Sequence, residues 1–585
     1  CTAFDSIGRV KSRTDPDGKI STITYEPSTG QAFTITETNS LGHRQIQEVE
    51  PGRGVGTRTT DANDRVSTAE YDALGRLIKA WGPGRAAPAT PDFQATYTIP
   101  RRVPDEPAQP SSVTTLTRGH DNRVETSVTI YDGLGRERQT QEQATGGGRL
   151  ITDTLYNSSG EVWQTNNAYY TKGDPAGRLF TPLADTAIPN STRYTYDGLG
   201  RVTEELPVLS GANAPGRATR YEYGFTHSTV INPAGAASYR IHTDALGRTS
   251  RVDTFTNASR TEFTSMRYEY DAFGRLSKAG HSEAGSQAWT WGYDQRGRMV
   301  TAKDPDTGET TTAYDHRDRV ASTRNARGVT VANESDQLSR PVRQRLNDGN
   351  GPVLSEYTYD SAPGGKGLPA TATRFTDGLP YTQSVGGYTN DYQPTATTLT
   401  LPQAVATAWG LKASYTYGYS YTDTGLMESA TLPGIGNLPA EKLLVRYTKD
   451  GLPLSVSGKD WYGAETVYSP HGQVLRSTLG AQPYRVWALA EYDDASGALT
   501  NQQVYREQKG DTSLTGGVLV SHRSYGYDDA GNVTAIRERS PGIEERQCFT
   551  YDPLGQLKKA WTGKDQETCA AAPAGAGDVA AGKDN

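Results

Sequence analysis

Aspartate is the side chain through which this sequence could do most chemistry. It recurs in near-identical surroundings at Asp72, Asp132, Asp197, Asp271, Asp294, Asp528 and Asp552. Glycosidic hydrolysis requires two carboxylates at a set separation, in environments that split their pKa values. Here the carboxylates share the same neighbours, so they share one role, and turn formation supplies it. The expectation is that the chain is not an enzyme, with glycoside hydrolase kept as a lesser alternative. The eight histidines are scattered, without a His-x-x-x-His pair, and no Cys-x-x-Cys occurs. No metal site and no cofactor is expected. Asp304-Pro305-Asp306-Thr307-Gly308-Glu309 has calcium-loop character but lacks the further ligands of such a loop, so it reads as a turn. Gly52-Arg53-Gly54-Val55-Gly56 lacks the Lys-Ser/Thr ending of a phosphate loop.

Two other features could contact a partner. Trp289 and Trp291 are two residues apart, so they share one face of a strand. They are the candidate contacts for a glycan or a polypeptide, and they serve equally as aromatics within a sheet. Cys548 and Cys569 lie close together near the end of the sequence and either form a disulfide or remain free thiols.

The elements that position these residues come from an internal repeat. Strong copies begin at Tyr71, Tyr131, Tyr196, Tyr270, Tyr293, Tyr527 and Tyr551. Between 270 and 359 the starts fall at 270, 293, 314, 335 and 359. The unit is written out in Tyr194-Thr195-Tyr196-Asp197-Gly198-Leu199-Gly200-Arg201-Val202. Tyr194 and Tyr196 face one side of a strand. Asp197 ends the strand, and its carboxylate accepts from backbone N–H groups ahead, as at the start of a type I turn. Gly200 takes the positive φ that a hairpin with a bulge requires, and Arg201 is expected to face outward. The same turn roles fall to Gly75, Gly135, Gly274, Gly297, Gly531 and Gly555. A lone hairpin is marginal in water, but tandem hairpins cover one another's edges. The expected fold is all-β, a tandem array of β-hairpins that coils into a shell or large tube.

Composition agrees. The chain is 34% hydrophobic, with 34 Tyr against 10 Phe, 63 Gly and 32 Pro. Tyrosine suits a sheet wetted on one face, and Gly and Pro supply turns. A net charge of -7 without a basic block argues against binding nucleic acid. No run of 18 apolar residues suggests a membrane span. The repeat array is expected to occupy 1–569, with weaker motifs at 361–465, and 570–585 reads as an Ala/Gly-rich linker. The apolar run 399–413 reads as a degenerate strand pair rather than a plug. The chain opens on Cys1, already inside a motif copy, so it reads as a fragment ending before any toxin domain.

The Tyr-Asp-x-x-Gly-Arg signature closely resembles that of the YD-repeat, or Rhs, family. That family includes bacterial polymorphic toxins, shell components of insecticidal toxin complexes, and teneurins. The resemblance implies a secreted or cell-surface, non-enzymatic shell that encloses a C-terminal or partner toxin polypeptide, used in bacterial competition. Family shells carry a dense Asp-Pro-x-Gly core that cleaves the toxin free. This sequence has only single echoes of it, at Asp15-Pro16-Asp17-Gly18, Asp304-Pro305-Asp306 and Asp552-Pro553-Leu554-Gly555. The alternative from another class is a cell-surface adhesion module that binds glycans through exposed aromatics.

Overall fold

The computed structural model describes residues 1–100, 109–281, 288–347, 349–562 and 568–569. The tail 570–585, read above as a linker, lies outside the described residues. The chain is all-β: 45 strands are assigned among the described residues, beside one short α-helix and three single 3-10 turns. Successive strands pair antiparallel as hairpins, and each hairpin pairs with the next.

The pair Asn190–Tyr196 and Val202–Leu209 shows the local logic. Tyr194 lies opposite Glu205 and Thr195 opposite Glu204, but Tyr196 lies opposite Val202. The skipped residue is the bulge that a glycine-ended loop creates. The same shift falls at Tyr71, Tyr131, Tyr270, Tyr293, Tyr527 and Tyr551, the tyrosines that open each strong motif copy.

Strands continue through 361–465, where the motif is weak. There Thr389 and Thr422 stand in for aspartate. Their hydroxyl oxygens accept from the N–H groups of Gln393 and Leu426, both at 3.1 Å. The run 399–413 is corrected: Pro394–Thr400 and Ser414–Tyr421 pair as strands, but between them Gln403–Ala408 is an α-helix. Pro402 stands at its N-cap, and its Ala-rich sequence favours a helical turn over an extended one.

The chain divides into two compact units. The first comprises the described residues of 1–96, 115–125 and 289–451; the second, those of 97–114, 126–288 and 452–585. In each unit, turns meet other turns about 300 residues away. In the first, Asn63 Nδ2 donates to Lys366 O at 3.0 Å, and Arg118 pairs with Asp423 at 2.7 Å. Arg317 of the same unit reaches back to Asp15 at 2.8 Å. In the second, Asn190 Nδ2 donates to Ala495 O at 2.6 Å, and Asn532 Nδ2 to Gly235 O at 2.8 Å. Each unit therefore stacks two courses of hairpins along their turns.

The apolar core is thin. In the second unit Ile151, Tyr169 and Ile188 form a buried cluster with Phe180 packed against it. Other buried apolar residues, such as Trp81 and Trp487, lie outside this cluster. A sheet without a thick apolar core leaves hydrogen bonds and ring contacts between repeats to carry much of the cohesion.

Candidate functional site

The recurring site is the turn itself, and it binds one repeat to the next. In the Tyr196 copy, one carboxylate oxygen of Asp197 accepts from the backbone N–H of Leu199 at 2.9 Å and of Arg201 at 3.0 Å. Its other oxygen accepts from Arg201 Nε at 2.7 Å. Gly200 N–H donates to Asp197 O at 3.0 Å and closes the turn. The Arg201 guanidinium and backbone hold the Asp197 carboxyl below the usual carboxylate range.

Asp72, Asp132, Asp271 and Asp294 make the same two backbone contacts and the same bond to an arginine Nε four residues on, at 2.7–2.8 Å. Asp528 and Asp552 accept the two backbone N–H groups as well. At Asp528, Asn532 Nδ2 replaces the arginine, at 3.0 Å. Gly75, Gly135, Gly200, Gly274, Gly297, Gly531 and Gly555 have φ between 75° and 89°.

Two contacts were not legible in the sequence. First, the motif arginine does not simply face outward. It bends over its own aspartate and lies beneath the tyrosine of the following repeat. Arg201 sits 4.2 Å from the Tyr223 ring centroid, Arg248 4.4 Å from Tyr270, Arg298 4.6 Å from Tyr314 and Arg340 4.3 Å from Tyr359. Second, that tyrosine's hydroxyl donates to the carbonyl of the residue just after the arginine. Tyr223 reaches Val202 O at 2.8 Å, Tyr270 reaches Thr249 O at 2.8 Å, and Tyr359 reaches Pro341 O at 2.7 Å.

The hydroxyl contact survives where the arginine is lost. Tyr388, Tyr447, Tyr468 and Tyr551 reach Pro369, Met427, Pro453 and Val533 in the same way, at 2.6–2.8 Å. Burial pushes these four phenols above the ordinary tyrosine value. The signal that could have revealed this latch is the Gly-Arg pair that precedes Tyr223, Tyr270, Tyr293 and Tyr314 by about 20 residues.

The other candidate residues fall as follows. Trp289 and Trp291 lie on the strand Ala288–Tyr293, and both are half-buried. Trp289 Nε1 donates to Asp304 Oδ2 at 2.9 Å, so this indole ties its strand to the Asp304 turn. Asp304 Oδ1 also accepts from the backbone N–H groups of Asp306 and Thr307, at 2.8 and 2.9 Å. Cys548 and Cys569 are joined in a disulfide; Cys548 is fully buried and Cys569 exposed. Among the described residues no group of three His, Cys, Asp or Glu is placed to hold a metal ion. No helix among them is long and apolar enough to cross a membrane.

A chain of tandem antiparallel hairpins, many of them joined to the next by aspartate, arginine and tyrosine contacts, is a repeat array. Its repeats resemble YD repeats of the Rhs type, and the family model matches part of the chain: residues 236–328 match the Teneurin YD-shell family model. The fold matches the solved TcdB2-TccC3 structure with a TM-score of 0.76 at 15% identity, covering 96% of this chain and 31% of that one. It matches TcdB2-TccC3 without its hypervariable C-terminal region at 0.77 and 14%, covering 96% and 33%. The Photorhabdus luminescens Tc holotoxin pore matches with the same figures. The chain thus spans about a third of the chains it matches. No curated protein sequence matches it.

Proposed function

We propose that this chain is a wall segment of a secreted or cell-surface shell that keeps a toxin polypeptide enclosed, with the toxin supplied by the same chain or a partner. The fold match over 96% of the chain to solved toxin complexes is the observation that carries this reading. The wall works by confinement: a repeat sheet latched at many of its turns resists local opening, and a guest without room to fold stays unfolded. A structural role accounts for the aspartates, because each turn carboxylate is occupied by backbone N–H groups and, in most copies, an arginine. The glycan-contact alternative gains no support from Trp289, whose indole N–H is already used within the sheet.

Small-angle scattering with particle images tests whether the chain alone encloses space. A distance distribution with a central void is expected; a solid particle or an open ribbon would limit this chain to a wall completed by a partner. Limited proteolysis of the full-length protein tests confinement itself. A C-terminal domain found folded and cleavable outside the wall would overturn the proposal.

A further inference from the structure

One loop of the second unit does something the repeat does not. Between the strands Val162–Thr171 and Asn190–Tyr196 the chain leaves the sheet and lies back across its face. Beneath it are two fully buried glutamines on the strand Glu137–Gln143, Gln139 and Gln141, exposed by 1% and 0%. Gln139 Oε1 accepts from Phe180 N–H at 2.9 Å, and its Nε2 donates to Phe180 O at 2.8 Å. Gln141 Oε1 accepts from Ala176 N–H at 2.9 Å, and its Nε2 donates to Arg178 O at 2.8 Å. The backbone groups held belong to residues 176, 178 and 180, the two-residue period of an extended segment.

The glutamines are themselves fixed. Gln141 Nε2 also donates to Gln139 Oε1 at 2.7 Å, and Gln139 Nε2 to Asp153 Oδ1 at 2.7 Å. Asp153 is buried at 4% exposure and accepts further from Arg138, Asn166 and Tyr169, at 2.9–3.0 Å. Burial and the nearby Asp153 carboxylate push the Tyr169 phenol well above its ordinary value. Arg149 donates to Gln141 Oε1 at 2.7 Å and to Asp174 O at 3.1 Å. The loop contributes two apolar side chains to the buried cluster around Ile151 and Tyr169: Ile188, itself buried, and Phe180, which packs against the cluster and is the one within the held segment.

We infer that Gln139 and Gln141 form a binding subsite for an extended polypeptide backbone, occupied here by residues 174–180 of the chain itself. A primary amide presents one donor and one acceptor side by side, as a peptide group does, so the pair reads main chain without regard to sequence. The occupant needs only an extended stretch with one apolar side chain where Phe180 sits. An unfolded guest of any sequence offers such stretches. As a guest site this rests on the enclosure reading given above, and the loop is then a placeholder that the guest displaces.

The test uses a variant in which residues 174–186 are replaced by a short Gly-Ser link, with its strand spectrum checked by circular dichroism. Two fluorescent probes are titrated: a peptide of residues 172–182, and reduced, carboxymethylated lactalbumin as an unrelated unfolded chain. Both are expected to bind and to compete. Gln139→Leu and Gln141→Leu in the same background are each expected to weaken binding roughly tenfold, since each removes two hydrogen bonds. Binding of the peptide but not of lactalbumin would make the loop a dedicated clasp and overturn the inference, as would no binding by a folded variant.

Should the shortened variant not fold, hydrogen exchange on the parent chain decides. Exchange at the Ala176 and Phe180 amides rises at least tenfold in excess lactalbumin if the loop is displaceable; no change overturns the inference. Neither readout depends on a closed shell, so enclosure itself can fail in the proteolysis test while this subsite stands.

Discussion

Arg340 is a latch that forks onto a second carboxylate, and its loss should open the array locally. Its Nε donates to Asp336 at 2.7 Å, and its two terminal nitrogens donate to both oxygens of Asp360 at 2.9 and 2.7 Å. Its side chain is 17% exposed, against 18% for Asp336 and 26% for Asp360. Arg340→Met keeps the apolar stem against Tyr359 but removes the fork. Breaking a fully buried pair costs about 3–5 kcal/mol. Partial exposure brings the expected cost here to about 2–3 kcal/mol.

In a repeat array the loss is felt by the neighbouring units rather than by the whole chain. Hydrogen exchange is therefore the assay. Amides of the strands Pro341–Leu346 and Val353–Tyr359 should exchange about 30- to 150-fold faster, the factor those energies imply. Arg340→Lys, which keeps the charge but cannot fork, should recover less than half of the lost protection. Unchanged exchange in these strands, or a lysine variant equal to wild type, would refute the idea that forked pairing carries the contact.

Four further outcomes follow from the same geometry. At Gly135, φ is 76° and a Cβ would meet nothing within 4 Å, so Gly135→Ala should cost about 1 kcal/mol from backbone strain alone. Gly135→Asn should cost less in the same thermal melt, because asparagine tolerates this region; Asp318 and Ser339 occupy it at φ 62° and 65°. Tyr270→Phe should cost about 1 kcal/mol in urea unfolding by removing the bond to Thr249 O, leaving the ring over Arg248.

Asp72, Asp132, Asp197, Asp244 and Asp360 all have carboxyls held below their ordinary value of 3.8, by arginine and backbone donors acting together. A lowered carboxyl stabilises the fold fully above pH 3.8, and that stabilisation is lost as the pH falls toward the folded value. Melting temperature followed from pH 6 to 2 should hold above pH 4 and drop below it, and the drop should shrink in a variant with several turn aspartates changed to asparagine. After gentle reduction, exposed Cys569 should alkylate well before buried Cys548, as read by mass spectrometry.

Much of the local structure was written in the sequence. Asp197, Gly200 and their counterparts specify a turn within six residues, because an Asx-type carboxylate and a positive-φ glycine act only on their immediate neighbours. Other side chains can fill the aspartate's place, which is why Thr389 and Thr422 keep hairpins where the motif fades. Arg201 is exposed, as expected, but its contact with the Tyr223 ring could not be read from its own repeat because that ring lies in the next one. The helix Gln403–Ala408 was missed because its apolar run is too short for periodicity to separate helix from strand.

What the sequence by itself determined is the hairpin, its bulge, its turn and the identity of the repeat. The tertiary structure decided which repeats lie beside one another: that Asn63 meets Lys366, that Asn190 meets Ala495, and that residues 174–180 fold back over Gln139 and Gln141. The reason is physical. A turn is fixed by contacts a few residues apart, but a partner some 300 residues away is chosen by contacts that no local stretch of sequence encodes.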